Sequence, residues 1–227
     1  MNQGGKAVRI AGILYILCFV TGILSIASAV DDPKYLVEAA SNAPGVMTAA
    51  FFHFLMAPLY AGIAIALYPI LREHDRWLAL GFAGFRIMAG VFVIIGVIVL
   101  MMLLSLSQEF VRAGAPAASH YQTLGALLQA ARDLVNHLAT VVSVSMGGLM
   151  LYCLLYRTRL VPRWLSAWGL AGSALAIAAS MLFLFRLVDI ITPAYLALNL
   201  PVALQEMVFA VWLIGKGFDS SIATAAL

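Results

Sequence analysis

The chain has 227 residues, 64% of them hydrophobic and 10% charged, with a mean hydropathy of +1.02. Soluble domains carry about one quarter charged residues, so this balance excludes an ordinary water-soluble globule and implies an integral membrane protein. The net charge of +3 is no sign of nucleic-acid binding: the 13 basic residues sit mostly at the ends of apolar runs, where they anchor topology, and no basic patch interleaves with aromatics.

Lys6 and Arg9 introduce an apolar run from Ile10 to Val30 that ends in Ala27-Ser28-Ala29, the pattern of a cleavable secretory signal. The run is about 21 residues, longer than a signal core and right for a full span, so a retained first helix over about 7–30 is expected. Asp31, Asp32 and Pro33 stop it, and a short exposed loop with a helical turn at KYLVEAA follows. The second span is expected over about 46–71, with Pro58 tolerated inside it at the cost of a kink. A charged turn from Arg72 to Arg76 leads into a third span over about 77–106, long enough to need tilt or a protruding end.

The longest polar connection, Ser107 to Arg132, is broken at Gly114-Ala115-Pro116 and then has a helical period without membrane hydropathy. It reads as an interfacial helix over about 119–132 leading into a fourth span over about 133–156. A basic turn with Arg157, Arg159 and Arg163 separates this from a fifth span over about 164–187. The stretch DIITPAYLALNLP reads as a partly interfacial loop, and the sixth span is expected over about 202–214, or from as early as Ala194. The expectation is an all-α, polytopic helix bundle: one transmembrane domain over residues 1–227 with six spans. Lys6, Arg9, Arg72, Arg76, Arg157, Arg159, Arg163 and Lys216 fall on one side, against Lys34, Arg112, Arg132 and Arg186 on the other. The excess places both termini in the cytoplasm, with Trp77, Trp164, Trp168 and Trp212 as an interfacial belt on that side.

The two central hairpins echo each other. His53 matches His137, and Leu67-Tyr68 matches Leu151-Tyr152, at one constant offset; Arg76-Trp77-Leu78 echoes Arg163-Trp164-Leu165 just past the turns. A parallel repeat about an axis along the membrane normal would write this pattern, and so would chance matches in a sequence of low diversity.

Ionisable groups inside a span mark function or a necessary pairing. Arg86 lies about 14 Å from the inner edge and Glu206 about 15 Å, at 1.5 Å per residue, so an ion pair between the third and sixth spans near mid-bilayer is expected. Such a pair either neutralises two charges and fixes packing register, or serves as a proton or anion relay in which Glu206 exchanges the proton and Arg86 holds it or a substrate. His53 and His137 sit higher, about 28–30 Å from the inner edge, at the outer boundary of the hydrocarbon. With Asp133 one turn before His137, they are candidate ligands for a metal or, as axial pair, a haem; satisfied interfacial histidines are the other reading. Cys18 and Cys153 fall inside apolar runs and read as core residues. The sequence has no P-loop, no dinucleotide-binding glycine pattern and no HExxH.

The first-helix pattern RIAGILYILCFVTGILS, the basic turn LLYRTRLVPRWLSAWGL and the terminal EMVFAVWLIGKGF resemble the bacterial membrane family known as domain of unknown function 4386. The resemblance spans nearly the whole chain and implies a multi-pass protein of the bacterial inner membrane, with no activity attached. The segment VVSVSMGG departs from the family's tendency toward Phe and Gly, which implies different local packing. The functional expectation is therefore a small transporter or sensor built on Arg86 and Glu206, surrounded by the lipid bilayer and acting on a small-molecule ligand. The alternative is an intramembrane metal or haem enzyme using His53, Asp133 and His137. Neither a cofactor nor an oligomeric state follows from the residues.

Overall fold

The computed structural model describes residues 3–115 and 120–219. The helices are α1 (Gln3–Leu24), α2 (Ser28–Asp31), α3 (Tyr35–Ser41), α4 (Ala43–Leu71), α5 (Arg76–Arg112), α6 (His120–Asp133), α7 (Val141–Thr158), α8 (Arg163–Leu184) and α9 (Pro193–Gly215), and a π-helical segment, Leu134–Thr140, joins α6 to α7. No strand occurs among the described residues. Six helical runs are long and apolar enough to cross a membrane: α1, α4, α5, the continuous run His120–Thr158, α8 and α9.

Five boundaries depart from expectation. The first helix stops at Leu24 rather than Val30, because Thr21 and Ser25 turn their hydroxyls onto backbone carbonyls of Leu17, Cys18 and Gly22 and loosen the last turn. The remaining apolar residues fold back as α2, where Ala27 and Val30 are buried in a core that also takes in Val46, Leu100 and Leu103. Hydropathy does not separate a lipid-facing turn from a buried cap, which is why the run looked like one span. The interfacial helix and the fourth span are one continuous rod from His120 to Thr158; residue 119, the expected start, lies outside the described residues. The sixth helix starts at Pro193, one residue before the earlier of the two expected starts, because the Thr192 hydroxyl accepts a bond from the Tyr195 amide and Pro193 suits a first helical turn; of the stretch read as loop, Asp189 to Thr192 is loop and the rest is helical. The third helix also runs on to Arg112, past the expected residue 106, and the fifth ends early, at Leu184.

Turn chemistry sets the hairpins. Asp75 caps α5 by accepting the amides of Trp77 and Leu78, both at 3.0 Å. Arg159 closes α7 in the left-handed region with φ 59°. Short turns at 72–75 and 159–162 then force antiparallel neighbours.

The six long helices form a ring in chain order: α1 packs on α4, α4 on α5, α5 on α7, α7 on α8, α8 on α9, and α9 returns to α1. The closing contact is tight, since a Cβ at Gly12 would stand 2.7 Å from the Ala210 carbonyl oxygen. Gly169 in turn lets the Tyr152 ring lie against the α8 backbone. One end of the ring, where α1 begins and α9 ends, is filled by an apolar core that includes Val8, Ile63, Leu67, Phe82, Leu155 and Leu213. Trp77 and Trp164 stand exposed at this end. The opposite end carries a second apolar core around Val30, Val46 and Leu103, and the site lies between the two.

Candidate ligand-binding site

Arg86 projects from α5 into the ring directly above the apolar plug and is 1% exposed. A guanidinium so buried needs a counter-charge and hydrogen-bond acceptors, and three other helices meet it. From α9, Glu206 accepts a bond from Arg86 Nη2 at 2.6 Å; from α1, the Tyr15 hydroxyl accepts from the same nitrogen at 2.9 Å. The guanidinium carbon stands 4.9 Å from the Tyr15 ring centre, 5.3 Å from that of Tyr60 on α4 and 6.0 Å from that of Phe82. These aromatic faces add a cation–π attraction in a desolvated setting. Phe209 packs edge-on against both Tyr15 and Tyr152, so the ring of aromatics is locked to the plug.

Saturation is incomplete. Arg86 Nε is buried without a hydrogen-bond partner, so the planar fork that usually grips a carboxylate with two parallel bonds is only half used. The Glu206 side chain is 27% exposed, and both residues line a cavity of about 270 Å³ walled by Phe19, Ile23, Met56 and Met207.

Further hollows adjoin that cavity toward the α2–α6 end. A second hollow of about 400 Å³ shares Gly22, Ile26, Met56 and Tyr60 with it and is lined further on by His53, Asn136 and His137. A third, of about 440 Å³, shares Asp31, Arg132 and His137 with the second and reaches Asp189 and Ile191. At this upper junction Arg132 binds Asp31 at 2.8 Å, and Gln129 donates to the Val30 carbonyl at 2.8 Å, tying α2 to α6.

The π-helical segment shapes the middle hollow. A π turn bonds i to i+5 and widens the helix, a feature that recurs at functional sites. It is held from neighbouring helices: Ser180 on α8 donates to the His137 carbonyl at 2.8 Å, and the Tyr195 hydroxyl lies 3.2 Å from His137 Nδ1. Asn136 turns toward α5, where Gly96 leaves room for it and for the His53 ring. Asn136 Oδ1 is buried without a partner.

The structure therefore brings Arg86 and Glu206 together, and it brings His53 and His137 to the wall of one hollow. Asp133 lines only the next hollow, and His137 takes Tyr195 rather than Asp133 as its Nδ1 partner. Among the described residues no group of three His, Cys, Asp or Glu side chains is placed to hold a metal. The expected D-x-x-x-H alignment assumed α-helical register, which the π turn interrupts. Sequence reasoning missed Tyr15, Tyr60, Asn136 and the Asp31–Arg132 pair. Asn136 beside His137 in an otherwise apolar run was a usable signal; a tyrosine in a span is too common to be one.

A further hollow of about 470 Å³ lies at the plugged end between Arg159, Arg163 and Lys216. Its cations are partly engaged, Lys216 over Trp212 at 4.5 Å and Arg163 over Tyr156 at 5.3 Å. It has no connection to Arg86 through shared lining residues.

Fold and interior together define a multi-pass, all-helical membrane protein with a charged pair inside its helix ring. The chain belongs to the family described as domain of unknown function DUF4386, whose model matches residues 10–217. No curated protein and no solved structure matches it.

Proposed function

We propose that this protein is a small transporter or sensor of the bacterial inner membrane, with both termini in the cytoplasm and its ligand site at Arg86 and Glu206. One observation carries the reading: the pair lines a cavity above an apolar plug, next to a second hollow with which it shares lining residues, rather than being sealed within side-chain packing. A pair whose only task is packing gains nothing from facing a cavity, and a buried ion pair is in itself weak evidence for stability. A site that takes up a ligand, to pass it on or to report it, needs a cavity at its polar groups. The excess of Lys and Arg at the plugged end supports a cytoplasmic plug and an outward-facing opening.

The test is a thermal-shift screen of the purified protein against anionic, cationic, zwitterionic and neutral small molecules, repeated with Glu206→Gln. At least one class is expected to stabilise the native protein and to lose its effect in the variant. A folded protein that no class stabilises would assign the pair to packing alone. Flux of the stabilising class into proteoliposomes then separates transporter from sensor.

A further inference from the structure

We infer that the ligand is a small zwitterion with an apolar side chain, of the class of the apolar α-amino acids, and that it reaches Arg86 from the α2–α6 end of the ring, past the Asp31–Arg132 pair. The inference rests on the ligand-site reading above and adds the ligand's chemistry and its route.

Charge balance carries the first half. At mid-bilayer an unbalanced charge is expensive, and Arg86 and Glu206 together are neutral. A carboxylate alone or an ammonium alone would leave the occupied site with net charge in a poorly solvated place. A zwitterion leaves it neutral. Glu206, 27% exposed and bonded through one oxygen, retains acceptor capacity for an ammonium group, and Arg86, on the same cavity wall, has an Nε–H that no protein group takes; that nitrogen is itself buried, so a carboxylate reaches it once the guanidinium turns toward the cavity. The Tyr15 and Tyr60 ring faces that already attract the guanidinium suit a second cation nearby. Around these polar groups the wall is Phe19, Ile23, Met56 and Met207, which selects an apolar remainder of modest size for about 270 Å³.

The route repeats the same chemistry. Arg132 and Asp31 line both outer hollows and form a second ion pair, one partner 14% and the other 51% exposed, with Asp133 and Asp189 also on the wall of the outermost hollow. A zwitterion can exchange with that pair, carboxylate to Arg132 and ammonium to Asp31, and move to the inner pair without a change of net charge at either station. Between the stations, Gly22, Ile26, Met56 and Tyr60 line both the inner and the middle hollow.

Cys18 offers a direct probe, because it lines the inner cavity and is 7% exposed. In full-length protein with Cys153→Ser, in vesicles of defined sidedness, a membrane-impermeant thiol reagent is expected to label Cys18 from one face only, and Gly22→Phe is expected to slow that labelling. Leucine at ten times its dissociation constant should slow it about tenfold by occupancy. Its deaminated acid, 4-methylpentanoate, and its decarboxylated amine, isopentylamine, should leave the rate nearly unchanged at the same concentration. Labelling from neither face, or labelling that Gly22→Phe does not slow in a folded protein, overturns the route. Equal protection by the acid or the amine, or none by leucine, overturns the zwitterion. Either failure is distinct from failure of the ligand site itself, which the thermal-shift screen reads without reference to Cys18.

Discussion

The two members of the Arg86–Glu206 pair should be unequal when removed singly and nearly dispensable when removed together. Glu206→Leu leaves a guanidinium that is 1% exposed with the Tyr15 hydroxyl and aromatic faces as its remaining support. Breaking a buried pair from that side costs about 3–5 kcal/mol. Arg86→Met leaves a carboxylate that is 27% exposed to the cavity, so the stranded group keeps some solvation and the expected loss is about 1–3 kcal/mol. The double variant Arg86→Met/Glu206→Leu strands nothing and fills the space with apolar atoms, which for buried pairs is often neutral or stabilising. The denatured chain remains in a bilayer-like medium and finds partial partners there, which draws all three values toward the low ends of their ranges. Reversible unfolding in mixed micelles measures them. If Glu206→Leu proves no more costly than Arg86→Met, or if the double variant equals the sum of the singles, the pair is not the coupled, asymmetrically buried unit described above.

Gly12→Ala should destabilise by about 1–3 kcal/mol, since its methyl would meet the Ala210 carbonyl and push α1 off α9. Gly84→Ala, with open space around the added carbon, should be neutral or gain up to about 1 kcal/mol of helix propensity in the same unfolding assay. Tyr195→Phe removes the hydroxyl beside His137 and should cost about 1 kcal/mol, with faster amide exchange at Leu134–Thr140 as its local signature. Arg132→Gln should change stability by no more than about 1 kcal/mol, because its partner Asp31 is half exposed. Reporter fusions at residues 74, 115 and 160 should place the first and third in the cytoplasm and the second outside.

Much of the architecture was legible because the bilayer imposes a length and a charge rule on each helix. Lys6 and Arg9 announce the first apolar run, and the turns at Arg72–Arg76 and Arg157–Arg163 mark their own positions between the runs that follow. Arg86 and Glu206 could be matched in height by counting residues, since rise per residue is constant in a helix. Azimuth is harder to count. Whether Tyr15 faces lipid or Arg86 depends on the rotation of α1, which the ring contacts fix and hydropathy does not. The π segment was invisible for a related reason: its stability comes from Ser180 and Tyr195, more than 40 positions away in the chain. Residues 26–30 misled because a short cap that buries only Ala27 and Val30 and a lipid-facing turn have the same composition.

The closure of the ring by α9 has a consequence for the order of assembly. Arg86 is made 120 residues before Glu206, but 71 residues after Tyr15. During synthesis, then, the third span enters the membrane with its arginine while the partner already in place is a hydroxyl on the first helix, and the carboxylate arrives with the last. Until then α1, α4 and α5 must shelter the charge among Tyr15, Tyr60 and Phe82. The aromatic cage that surrounds Arg86 in the finished protein is thus also the cradle that lets a half-built chain carry a charge into the bilayer.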